Sequence, residues 1–153
     1  MPEFFYRFVF ARDEEAGYST GMPPLPSVWI VDDDPGIRES LQALLADEGF
    51  TVAAFASSKA LQRALKKALP AIIFLDISLG EEGSKQVMQY LKRQPATCHI
   101  PLIIMSGNAE IETVAHAVNA DGYVEKPCTV DDILFHITKH TSAPKTRRAV
   151  LRK

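Results

Sequence analysis

Cysteine is nearly missing from this chain. The two that exist, Cys98 and Cys128, stand far apart, with no Cys-x-x-Cys pair and no Cys/His ligand spacing around either. That disfavours a disulfide framework and a structural zinc site, and it fits a reducing cytoplasm. Also missing is any apolar run near the roughly 20 residues that span a bilayer. The opening MPEFFYRFVFAR is apolar and aromatic, but Arg7 interrupts it and no convincing small-residue cleavage site follows, so it does not read as a signal peptide. A large net charge is absent too: 17 basic and 19 acidic residues leave −2, which by itself points to neither nucleic acid nor an acidic substrate. Only the end is lopsided. From Lys139 onward there are six Lys or Arg and no acid, which reads as a solvated basic tail.

What is present is apolar content, 46% of 153 residues, enough for one domain with a real core. DEEAGYSTGMPPLP, charged and then rich in Gly and Pro, reads as linker, so the domain is expected over residues 27–140. Residues 1–26 form an extension or linker ahead of it, and residues 141–153 a basic tail or a linker to something further. Met22 as initiator and an appendage packing its aromatics on the domain are both open readings of the first 21 residues.

From residue 28 short apolar runs alternate with helical stripes. VWIV (28–31), FTVAAF (50–55), AIIFLD (71–76), IPLIIMS (100–106) and GYVEK (122–126) read as strands, most of them without polar alternation, as in strands buried on both faces. Between them lie PGIRESLQALLADEG, with Pro35 suited to a first helical turn and Gly49 to a stop, and SSKALQRALKKAL (57–69), capped by Ser57 and closed by Pro70. Helices are likewise expected over residues 82–94, 109–120 and 129–140, the last capped by Thr129. Strict alternation of five strands and five helices implies right-handed crossovers and a parallel sheet covered on both faces, a doubly wound α/β domain.

Such sheets bind ligands outside the carboxyl ends of their strands, where the strand order reverses. There the sequence places Asp32, Asp33 and Asp34 after the first strand, Asp76 at the end of the third, Ser106 at the end of the fourth, and Lys126 with Pro127 after the fifth. Carboxylates gathered without a counter-ion raise one another's pKa values and cost stability. Mg²⁺, which takes oxygen ligands and is usually held by one or two carboxylates, waters and a phosphate, would relieve them. Asp34, immediately before Pro35, reads instead as a helix cap.

Taken as a set, Asp-Asp, a lone Asp, Ser and Lys-Pro at the ends of these strands resemble the receiver domain of two-component response regulators, over about residues 28–140. The resemblance implies a flavodoxin-like α/β fold, a five-stranded parallel sheet of order 2-1-3-4-5. The resemblance implies that Asp76 is the phospho-acceptor and that Mg²⁺ is held by Asp32, Asp33, Asp76 and the Ser78 backbone carbonyl, with Asp33 favoured as the direct ligand and Asp32 often acting through water. It implies that Lys126 neutralises phosphoryl charge, that Ser106 hydrogen-bonds the attached group, and that Tyr123 and Ser106 form the switch. The implied phosphodonor is a sensor histidine kinase or phosphotransfer protein. A homodimer through the fourth helix, fifth strand and fifth helix is among the implied partners, and nucleic acid only through an effector beyond Lys153. The output would be signalling in the cytoplasm with no membrane contact, and no enzymatic turnover beyond self-phosphorylation and self-dephosphorylation.

The chain departs from the family pattern in two places. DISLGEEGS carries Gly80 where the family has Pro, and Gly83 one place early, with Glu81 and Glu82 adding charge near the acceptor. The segment from Ser106 to Lys126 looks about two residues short, which predicts a short, shifted or mobile fourth helix. These changes motivate an alternative, a receiver-like interaction module that works without phosphorylation. A haloacid-dehalogenase-type phosphatase is a further alternative, since Asp32-Asp33-Asp34 contains Asp-x-Asp. That family expects Gly and then Thr or Val next, where this chain has Pro35 and Gly36, and it gives Asp76 no role.

Overall fold

A computed structural model describes residues 25–78 and 81–141. The two ends, Leu79 and Gly80 lie outside the described residues, as do the Glu81 and Glu82 side chains. Five strands, β1 (Ser27–Val31), β2 (Thr51–Phe55), β3 (Ile72–Asp76), β4 (Leu102–Ser106) and β5 (Gly122–Glu125), pair in parallel in the order β2-β1-β3-β4-β5. The helices α1 (Pro35–Asp47), α2 (Ser58–Leu65), α3 (Glu81–Arg93), α4 (Ile111–Ala117) and α5 (Val130–His140) alternate with them. This is the expected fold and strand order.

Because side chains alternate across a strand, each strand feeds two cores. Val28, Ile30, Ile72, Phe74, Ile103 and Met105 meet α1 and α5 on one face. Trp29, Val31, Ile73, Leu75 and Leu102 meet α2 and α3 on the other, where Ile104 also packs under α4 against Ile111 and Ala115. Phe74, essentially inaccessible to solvent, contributes about 1.5–3 kcal/mol by burial.

Two helices are shorter than the sequence pattern predicts. α2 stops at Leu65, where Lys67 and Ala68 both donate to the Ala64 carbonyl in a tightened last turn, and Pro70 biases residue 69 away from helix. α4 has only seven residues. Asn119 adopts a left-handed φ of 54°, and the bonds Ala120 N–H to Ala115 O and Asn119 N–H to His116 O close a Schellman cap. The Lys92 ammonium then satisfies the Val118 and Asn119 carbonyls, each at 2.8 Å. The shortness anticipated for the fourth helix is observed. Gly49 closes α1 with the same motif at φ 96°, and Phe50, the residue after it, is buried in the core.

Candidate functional site

The carboxyl edge of the sheet is polar because each strand changes character at its last residue. β1 is wholly apolar after Ser27 and is followed by Asp32; β3 and β4 end in Asp76 and Ser106; β5 is followed by Lys126. Parallel register then brings residues distant in sequence to one edge. Val31 lies beside Leu75, Asp76 beside Met105, and Ser106 beside Glu125, with the Lys126 N–H bonded to the Ser106 carbonyl at 2.8 Å. The order reverses between β1 and β3, and the site opens there.

Asp32 and Asp76 are buried, and one ammonium joins them. Lys126 Nζ stands 2.7 Å from Asp32 Oδ2 and 3.0 Å from Asp76 Oδ2. Asp32 Oδ1 accepts the Asp34 N–H at 2.9 Å, so both of its oxygens have partners. Asp76 Oδ1 accepts the Ser78 N–H at 2.9 Å, and Oδ2 accepts the Ser78 hydroxyl at 2.7 Å. The exposed Asp33 completes a group in which carboxylate oxygens of Asp32, Asp33 and Asp76 lie within 4.8 Å of one another. All the donors are hard oxygens, and two of the three carboxylates are withdrawn from water, a donor set that fits Mg²⁺ rather than a thiophilic metal.

The electrostatics divide the two buried acids. For Asp32, loss of solvent is the largest influence and leaves its pKa above the ordinary value, despite the bond from Lys126. For Asp76, desolvation also pushes upward, but the Ser78 hydroxyl and amide and the Lys126 ammonium outweigh it and hold the carboxyl below its ordinary value. The folded site therefore favours the ionised form of Asp76 and disfavours that of Asp32. Desolvation works against the charge on Lys126, and its two carboxylate partners more than restore it, raising its pKa.

Other candidates from the sequence fall around this centre. Ser106 is buried, and its hydroxyl accepts the Asn108 N–H at 3.0 Å. Ser78 meets Asp76 through its hydroxyl and its amide. Tyr123 is half-buried and packs with Ile104, Ile111 and Ala115 beneath α4. Asp34 caps α1, accepting Gly36 N–H at 2.8 Å and Ile37 N–H at 3.2 Å, so the carboxylate that would complete an Asp-x-Asp phosphatase pair is committed to the helix. Two residues carry contacts that sequence reasoning missed. Arg38 donates to the Asp32 carbonyl at 2.7 Å and ties the acidic loop to α1; His136 bonds the Tyr123 carbonyl at 3.0 Å. No spacing rule marks either one.

Comparison with known proteins agrees with this fold. Residues 28–138 match the family model described as response regulator receiver domain. The chain is 32% identical over 118 residues to the DNA-binding transcriptional regulator NtrC of Escherichia coli K12, covering 75% of this chain and 24% of that protein. It is 32% identical over 117 residues to the regulatory protein VirG of Agrobacterium tumefaciens, covering 74% and 43%. Both relatives thus extend well beyond the aligned part. The solved structure of the chemotaxis response regulator CheY4 of Vibrio cholerae superposes with a TM-score of 0.68 at 21% identity, covering 75% of this chain and 98% of that one, a likeness of fold.

Proposed function

The chain belongs to the response regulator receiver domain family, and from that premise we propose that Asp76 accepts a phosphoryl group from a histidine kinase or a phosphotransfer protein. The observation that carries the reading is the Lys126 ammonium held between Asp32 and Asp76 at 2.7 and 3.0 Å. In the transfer, an Asp76 carboxylate oxygen forms a bond to phosphorus as the bond from phosphorus to the donor's imidazole nitrogen breaks, and the donor keeps that electron pair. Lys126 supplies fixed positive charge where the phosphoryl oxygens gather it. Asp32, Asp33, Asp76 and the Ser78 carbonyl would hold Mg²⁺, which supplies further charge neutralisation and orientation when bound. The Ser106 hydroxyl, at the end of β4, hydrogen-bonds the attached group.

An aspartyl phosphate adds about 1.5 to 2 negative charges at this edge. Movement of Ser106 toward it frees space for Tyr123, and the surface of α4, β5 and α5 changes for a partner, a second copy included. The receiver unit is taken as residues 27–140, acting in the cytoplasm as a signalling domain without substrate turnover. Among the described residues no helix is long and apolar enough to cross a membrane. An effector, DNA-binding or otherwise, would reside beyond the receiver.

The test is phosphoryl mass. Incubation with Mg²⁺ and acetyl phosphate should add one phosphoryl group that disappears in Asp76→Asn. Label on Asp32 or Asp34 would overturn the assignment; absence of any label after prolonged exposure would favour an interaction module that works without phosphorylation.

A further inference from the structure

The junction of β5 and α5 holds a second polar contact, apart from the acidic site. His136 Nε2 lies 3.0 Å from the Tyr123 carbonyl oxygen. A carbonyl only accepts, so Nε2 carries a proton, and in the neutral ring Nδ1 is the bare nitrogen. Nδ1 is buried and has no hydrogen-bond partner among the described residues. A proton there would be a buried charged donor with nothing to receive it.

The ring is also closely confined. A Cβ on Gly122 would fall 2.9 Å from His136 Cε1 and 3.0 Å from Nδ1, so the imidazole fills the space a side chain at position 122 would need. Phe135 meets the ring edge-on at 5.2 Å, and His140 stacks on it at 5.8 Å.

We infer that His136 is a positioning residue for Tyr123: its neutral ring fastens the Tyr123 backbone to α5, and a proton on Nδ1, which leaves the Nε2 donor in place but has no acceptor in the buried site, draws the ring toward water and so loosens that fastening, making the α4, β5 and α5 face sensitive to acid. The link between this release and signalling rests on the reading that Tyr123 responds to Asp76; the fastening itself does not.

The surrounding charges are mixed. On α5, Asp132 favours protonation, whereas His140 and Lys139 oppose it; Glu125 lies across one groove beside the ring, and His116 and Asp121 line another. Burial is the strongest influence, and it leaves the imidazole below its ordinary 6.5 in spite of the Tyr123 bond. For a group depressed on folding, the stabilisation is complete above the unfolded value and is lost as pH falls through the folded one. The buried ring is therefore favoured in place at neutral pH, and that stabilisation is lost on acidification below 6.5.

NMR of the full chain with ¹⁵N-labelled histidine, titrated from about pH 8 to about pH 5 across the imidazole range, tests this. The expected result is an Nε2–H tautomer for His136 at the upper end, with Tyr123 carbonyl and Val124 amide resonances moving at the same midpoint as the His136 ring. In His136→Gln, whose side-chain amide can still donate to the carbonyl, that pH-linked movement should vanish; in His140→Gln it should persist. Gly122→Ala is the second variant: it displaces the ring, and the His136 midpoint should rise while the Tyr123 movement is lost.

Unchanged Tyr123 titration in His136→Gln, or an Nδ1–H tautomer in the wild type, would overturn the inference. Phosphoryl mass on the same samples separates the two readings. Loss of labelling with the His136 titration intact counts against the phospho-acceptor alone, whereas normal labelling without a linked Tyr123 titration counts against the positioning role alone.

Discussion

Lys126 and Asp32, 94 residues apart in sequence, are joined by a 2.7 Å ion pair in which the carboxylate has no solvent exposure. The same ammonium serves Asp76, so one positive charge supports two buried acids.

Removing that charge should be expensive. Lys126→Ala leaves Asp32 and Asp76 buried without their cation, and breaking a buried pair from one side costs about 3 kcal/mol or more. Urea denaturation measures it, and added Mg²⁺ should return part of the loss because the acidic cluster then regains a counter-charge. A change within experimental error, with or without Mg²⁺, would mean that the two acids do not depend on Lys126.

Asp34 should matter to the helix and not to phosphoryl uptake. Asp34→Ala deletes the side-chain acceptor for the Gly36 and Ile37 amides and should cost about 1 kcal/mol. Asp34→Asn should cost less. Uptake at Asp76 should match the wild type in both; a large drop would place Asp34 among the groups that handle the phosphoryl group.

Acid should act on the fold through Asp76. Its pKa is held below the ordinary 3.8, chiefly because the Ser78 and Lys126 bonds outweigh desolvation. The ionised form therefore stabilises the fold fully above 3.8, and this contribution is lost as pH falls through the lower folded value. Asp32 has the opposite shift, mainly from desolvation, and takes up its proton more readily in the folded state. Asp76→Asn should thus lose less stability than the wild type between neutral pH and about pH 3, compared by urea midpoints. Equal losses in the two proteins would contradict the depressed Asp76.

The elements differ in how far local pattern revealed them. β3 and β4 are legible because five consecutive buried residues leave no polar alternation to confuse the period. The ends of α2 and α4 are not, since apolar residues continue past the last helical turn while the closing bonds at Ala64 and Asn119 depend on backbone geometry. In the site, hydrophobic period and spacing do not say which of Asp32 and Asp33 faces the interior, yet one is buried and the other exposed. Two adjacent residues leaving a strand point in different directions, and only the packed loop determines which one faces the interior.

By itself, then, the sequence determined the doubly wound sheet and the edge on which its polar residues collect, because hydrophobic period and strand-end position are local properties of the chain. Only the tertiary structure decided that Lys126 bridges Asp32 and Asp76, that Arg38 braces the Asp32 carbonyl, and that His136 occupies the space beside Gly122 to reach Tyr123. Each of those contacts joins atoms from different elements. A polar atom takes whatever partner packing brings within about 3 Å, and that distance is set by the assembled fold rather than by spacing along the chain.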